Sequence, residues 1–122
     1  MSLNGSTNEE KIWNYLKAKG LPDCGIAGLM GNLYAESCLI STNLQNSYEE
    51  SLGFTDAAYT AAVDNGTYQN FVKDSAGYGL AQWTYWSRKK NLLDFAKKNG
   101  RSIGDLEMQL NFLFTELSDG YK

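Results

Sequence analysis

The sequence predicts a mainly α-helical domain, with at most a small β-hairpin or strand near residues 75–84. Three observations carry that prediction. Apolar residues recur at three- and four-residue spacing in several stretches, the period of one helix face. Capping residues precede those stretches and glycines follow them. The segment Ser75 to Trp83 breaks the pattern, mixing glycines with aromatics in a way that suits a turn or short strand. With 122 residues the chain can build a single modest core. Its apolar fraction of 43% places it among chains that fold.

The elements follow in order. Residues 1–7 are expected to be a disordered tail and residues 8–122 the domain. Thr7-Asn8-Glu9-Glu10 is a capping-box pattern that opens the first helix. Ile12, Trp13 and Leu16 give this helix an apolar side, and Gly20 stops it. Pro22 suits the first turn of a second helix. That helix carries Ile26, Leu29, Met30 and Leu33 on one face and ends between Ala35 and Cys38. Leu39 to Gly53 is polar and reads as a loop. Thr55 is expected to cap a short helix from Asp56 to Val63, and Thr67 another ending near Lys73. Ser87 to Lys98 reads as helix, with Gly100 as its stop. In the last helix Ser102 is the expected cap and Asp105 sits in the first turn. Ile103, Leu106, Leu110, Leu113, Phe114 and Leu117 form its stripe, and Gly120 ends it.

Composition excludes several chemistries. The chain has no histidine. Ser-His-Asp and Cys-His catalysis fall away, as does every zinc site that needs an imidazole. Two cysteines cannot build a four-cysteine site, so no metal and no cofactor is expected. Proton transfer near neutral pH then falls to carboxyls, with tyrosine and lysine as outsiders. The net charge of −3 and the lack of a long basic run leave no nucleic-acid partner expected. No stretch is long and apolar enough for membrane insertion, and the polar start carries no secretory signal. Cys24 and Cys38 would stand about 20 Å apart along one helix, too far for a bridge. Both read as free thiols, with Cys24 packed as a small apolar residue.

One acid stands out on the second helix. At about 100° per residue, Glu36 falls on the edge of the apolar stripe beside Leu29. Partial desolvation there, and a place in the last helical turn, would both favour a protonated carboxyl, as a general acid requires. A glutamate that reaches from the stripe edge into water fits the same pattern.

The neighbouring residues narrow the choice. Gly28-Leu29-Met30-Gly31-Asn32-Leu33-Tyr34-Ala35-Glu36-Ser37 resembles the first active-site motif of the lysozyme-like superfamily, a small-residue-rich helix ending in Glu-Ser. Gly77-Tyr78-Gly79-Leu80-Ala81-Gln82-Trp83 resembles the second, a Gly-aromatic-Gly-Leu-x-Gln turn. With the Asn43-Leu44-Gln45-Asn46 loop, the span Phe71 to Arg88 and the last helix, the chain is similar to the phage tail lysozyme family, peptidoglycan-cleaving domains of phage tails and related cell-wall hydrolases. The resemblance implies an α+β lysozyme-like fold. It implies a glycosidase that cleaves the β-1,4 bond between N-acetylmuramic acid and N-acetylglucosamine. Its partner would be the peptidoglycan glycan strand. Its place would be a virion tail or the cell exterior, within a larger protein.

By the same resemblance Glu36 is the catalytic acid and Ser37 braces the helix end. Gly77, Tyr78, Gly79 and Gln82 line the cleft. Glycines let backbone approach a bulky sugar, and an amide can bond an N-acetyl group. Tyr78, Trp83, Tyr85 and Trp86 are candidates for sugar stacking or for core packing. Asn43 and Gln45 are further binding candidates. Among second carboxylates Asp74 is the first choice, ahead of Asp64, with Glu49, Glu50 and Asp56 behind. A loop or helix-end acid needs no substrate to explain it. In lytic transglycosylases of the same superfamily a single Glu suffices, and the product is a 1,6-anhydro sugar. A non-catalytic glycan-binding module is the remaining alternative.

Two departures from the family stand out. Cys38 replaces the glycine that usually follows Glu-Ser, so either the helix ends differently or its backbone is strained. The family's domain continues with further helices, which predicts a domain lacking its C-terminal part. Exposure of the 103–117 stripe, or self-association through that helix, is therefore expected.

Overall fold

The computed structural model describes residues 5–45, 48–49, 52–74 and 76–119. Residues 1–4, Asn46, Glu50, Ser75 and the Gly120 stop lie outside the described residues, as does the side chain of Leu117. Among the described residues five helices follow in order: α1 Asn8–Ala18, α2 Asp23–Ser37, α3 Asp56–Asp64, α4 Trp86–Lys98 and α5 Leu106–Asp119. The domain is mainly helical, as its periodicity predicts. Among the described residues the β content is two isolated antiparallel bridges, Leu44 with Tyr78 and Tyr78 with Trp83.

Local chemistry explains most helix boundaries. The Thr7 hydroxyl accepts the Glu10 N–H at 3.1 Å, and the Glu10 carboxylate accepts the Ser6 N–H at 2.9 Å. Hydrogen bonds from the Ser6 N–H first, then the Ser6 hydroxyl and the Thr7 N–H, hold the exposed Glu10 carboxyl below its usual range. Ser6 and Thr7, expected within a tail, thus help to start α1. Thr55 caps α3 through the Ala58 N–H at 3.2 Å.

Two expected caps differ. Thr67 opens no helix, because its N–H and hydroxyl both turn back to the Asn65 side chain and close a tight turn. In α5 the capping acceptor is Asp105, which takes the Met108 N–H at 2.9 Å. Ser102 instead donates its hydroxyl to Asp64. That long-range pairing with α3 leaves the cap to the next carboxylate in the chain.

The core gathers around the segment between α3 and α4. Helix α1 packs against α2, and α4 against α5. Between them Leu44, Tyr59, Phe71, Tyr78, Leu80 and Trp83 are fully or almost fully buried. Tyr78 stacks obliquely on Tyr59, with ring centroids 5.4 Å apart, and meets Phe71 edge-on at 5.8 Å.

The exposure expected of the stripe on the last helix is not found at Ile103, Leu110 and Leu113. Ile103 and Leu110 are 1% exposed and Leu113 7%, and Phe112 packs on Trp83 and Phe95. The α4 helix and Trp83 lie against part of that face, while Leu106 and Phe114 stay half-buried. Cys24 and Cys38 are free thiols, and both are exposed. Cys24 therefore does not pack as a core residue.

Candidate functional site

Helix α2 ends in an unusual way. Its C-cap, Cys38, adopts the left-handed conformation at φ 55° and ψ 30°, and its N–H bonds the Tyr34 carbonyl at 2.8 Å. Leu39 follows at φ 62°. The helix thus keeps the ending that glycine favours, with side chains at both positions, at a cost of about 1–2 kcal/mol per residue.

Glu36 occupies the last turn before this ending. Its side chain is exposed, and no hydrogen bond or ion pair reaches it from the described residues. The expected desolvation at the stripe edge is absent from the chain alone. Leu29, its neighbour on the wheel, is itself only half-buried, and the adjoining face at Ala27, Gly28, Gly31 and Ala35 is open.

Ser37 points the other way and is buried. Its hydroxyl lies 3.0 Å from the Leu33 carbonyl and 2.8 Å from the Leu80 carbonyl. The first contact is within the helix; the second joins α2 to the Gly77–Trp83 turn. The Asn43 amide donates to the Ser37 carbonyl at 3.0 Å and covers a helix-end acceptor. The Asn43 carbonyl accepts the Gly79 N–H at 2.9 Å and the Gln82 amide at 2.8 Å. Gln45 pairs with Gly77 twice: its N–H bonds the Gly77 carbonyl at 2.7 Å, and its side-chain oxygen accepts the Gly77 N–H at 3.0 Å. Ser37, Asn43, Gly79 and Gln82 are therefore joined by hydrogen bonds next to Glu36 in the chain, and the Gln45–Gly77 pair adjoins them through Tyr78 and Leu44.

The glycines of the turn leave little room for a side chain. A Cβ on Gly77 would lie 2.8 Å from the Gln82 side-chain oxygen. One on Gly79, at φ +82°, would lie 2.9 Å from both amide atoms of Gln109.

Both motifs meet in this assembly, and a model of the phage tail lysozyme family matches residues 7–122, almost the whole chain. The chain belongs to the phage tail lysozyme family. No solved structure matches it. Membership carries a lysozyme-like, glycosidase-type role on peptidoglycan, and it agrees with a place in phage tails or outside the cell. No helix of the described residues is long and apolar enough to cross a membrane.

Other predicted residues of the chain stand differently. Asp74 is 4% exposed and fully engaged. Its Oδ1 accepts Lys89 Nζ at 2.5 Å and the Ala76 N–H at 3.0 Å; its Oδ2 accepts the hydroxyls of Tyr59 at 2.6 Å and Tyr68 at 2.8 Å. Lys89 Nζ also donates to the Ala76 carbonyl at 2.8 Å and lies 4.4 Å from the Phe71 ring centroid. Burial pushes the Lys89 ammonium below the ordinary lysine range, and Asp74 opposes that push. Burial, and then the bond to Asp74, raise the Tyr59 and Tyr68 phenols. The Asp74 carboxylate is thus taken up by four internal donors, with the half-buried Tyr68 at the edge of the network.

The other described candidate acids also have partners. Asp64 accepts the Ser102 hydroxyl and the Ile103 N–H. Asp56 accepts the Leu44 N–H at 3.0 Å. A hydrogen bond with Asp56 pushes the Glu49 carboxyl upward. Tyr78 and Trp83 are 0% exposed, so neither ring offers the open face that sugar stacking needs. Tyr85 and Trp86 are exposed and face each other at 6.2 Å. A groove of about 540 Å³ lined by Glu9, Glu10, Trp13, Asn14, Ala27 and Met30 contains none of the predicted site residues.

Residues outside the sequence reading complete the setting. Gln109 joins the turn to the loop after α2 through its buried amide. Glu116 accepts the Trp83 indole N–H at 2.9 Å and pairs with Arg88 through both carboxylate oxygens. A polar residue among the apolar positions of the α5 stripe was the available signal for Gln109, and the motifs do not include it.

Proposed function

We propose that this chain cleaves the β-1,4 bond between N-acetylmuramic acid and N-acetylglucosamine, with Glu36 as the general acid that protonates the leaving oxygen. The observation that supports this reading most is the Ser37–Leu80 hydrogen bond. It couples the helix end bearing Glu36 to the glycine turn, and Glu36 remains open to a substrate. A glycan lying over Glu36 would exclude water from it, the condition under which a carboxyl serves as an acid. Gly77, Gly79, Gln82, Asn43 and Gln45 form the framework of the groove, and Tyr85 and Trp86 offer the open aromatic faces for sugar rings.

A second reading draws on the acids. Asp74, Asp64 and Asp56 all hold structural bonds. A site with Glu36 as its one working carboxylate favours the transglycosylase route, in which the muramyl 6-hydroxyl attacks and leaves a 1,6-anhydro end. Mass spectrometry of digested peptidoglycan separates the routes: the anhydro product is one water lighter than the hydrolysed muropeptide. Wall binding without clearing of a cell-wall suspension would replace both readings with a binding module.

A further inference from the structure

We propose that Gln109 is a positioning residue for Glu36; this rests on the reading of Glu36 as the catalytic acid. Gln109 lies on α5, far in sequence from both motifs, and is 0% exposed. Its Oε1 accepts the Leu80 N–H at 3.0 Å. Its Nε2 donates to the Ser41 carbonyl and to the Ile103 carbonyl, each at 2.7 Å. One acceptor and two donors on a single rigid group is what a side-chain amide supplies, and all three are used.

The partners are what give this amide a role beyond stapling the fold. Leu80 is held at both of its backbone polar groups: Gln109 accepts its N–H, and the Ser37 hydroxyl donates to its carbonyl. Ser37 is the residue next to Glu36. The other arm holds Ser41, which follows the left-handed pair Cys38 and Leu39 at the end of α2. Gln109 thus fixes the exit of α2 by two routes, one through the turn and one through the chain itself. There is little slack, since Gly79 packs so closely on the amide that a Cβ would not fit. A shift of the amide moves Leu80, and with it the hydroxyl anchor beside Glu36. A displacement of about 1 Å at a reacting group lowers rates by about 10²-fold.

The test uses the full chain on soluble, uncross-linked glycan strands, with kcat and KM expressed per folded molecule. Gln109→Met keeps the length and removes all three bonds. Its expected kcat is about 30- to 100-fold lower, with KM within about twofold. Gln109→Glu loses both donors at neutral pH and regains one when its carboxyl protonates, so its kcat relative to the parent rises as the pH is lowered. A purely structural amide would lower the melting temperature of both variants and leave kcat per folded molecule unchanged, which overturns the proposal. If both variants fail to fold, Ser37→Ala breaks the relay from its other end. A kcat loss of about tenfold there supports the relay, and an unchanged kcat overturns it. Glu36→Gln runs beside them. Activity in Glu36→Gln overturns the reading of Glu36 and this inference together; an inactive Glu36→Gln beside a fully active Gln109→Met overturns this inference alone.

Discussion

Asp74 and Glu36 are two acids near one turn, with opposite surroundings. Asp74 lies just before the Gly77–Trp83 turn, buried, with four donors on its two oxygens. Glu36 is bonded to the same turn only through its neighbour Ser37, and its own carboxylate is exposed without a partner among the described residues. A carboxylate saturated with internal donors stabilises a fold but has nothing left for a substrate. One held on a braced backbone, with its oxygens open, can meet a leaving group.

The sharpest test of this contrast is Glu36→Gln. Lysis is expected to fall by about 10²–10⁴-fold, the range for loss of a general acid, with stability changed by less than about 0.5 kcal/mol. Turbidity clearing and thermal unfolding measure the two effects. Asp74→Ala should behave in the reverse way. It leaves the Lys89 charge buried without its carboxylate, at a cost of about 3–5 kcal/mol in unfolding free energy, read from urea titration. Any surviving folded fraction should cleave at close to the parent rate. A stable, inactive Asp74→Ala would break the comparison and return Asp74 to the chemistry.

Alkaline pH probes the buried half alone. Tyr59 and Tyr78 hold their phenols above the ordinary value of 10.0, chiefly because burial penalises the phenolate. Unfolded, they release protons near pH 10; folded, they keep them. A folded pKa above the unfolded one means that their contribution is whole below about pH 10 and is lost as the pH rises beyond it, at up to about 1.4 kcal/mol per pH unit per group. Lys89 acts in the opposite sense. Its folded pKa lies below 10.5, so the burden of its charge is relieved as the pH rises toward that value. The two tyrosines outweigh one lysine, and unfolding should become progressively easier above pH 10. Phenolate absorbance should rise together with loss of helix.

Smaller effects probe the brace around Glu36. Cys38→Gly removes the left-handed penalty and should raise stability by about 0.5–1 kcal/mol, after the added entropy of the unfolded glycine is allowed for. A simultaneous fall in kcat would mean that the strained ending helps to aim Glu36. Gly31→Ala meets nothing within 4 Å and should stabilise α2 by a similar or smaller amount. If it gains stability but weakens binding of soluble glycan, the bare face of α2 serves close approach of the sugar.

Much of this was legible in the residues. Thr7 and Thr55 announce their helices because a cap acts within one turn. The stripes of α2 and α5 announce theirs because period and burial coincide. Gly77 and Gly79 mark a turn with no room for side chains. The rest depended on partners far away in the chain. Ser102 reads as a helix cap until Asp64 takes its hydroxyl. Tyr78 and Trp83 read equally as sugar platforms or core until Tyr59 of α3 and Phe112 of α5 pack on them.

The sequence by itself determined the helical class, two motifs in the expected order and the absence of any imidazole chemistry, because each depends on local spacing or on a count. Tertiary structure alone decided that Asp74 pairs with Lys89 inside the fold, that Gln109 grips the turn, and that Glu36 faces outward. Those outcomes are set by which distant donors and acceptors share a buried space, where an unpaired polar group costs more than any local preference contributes.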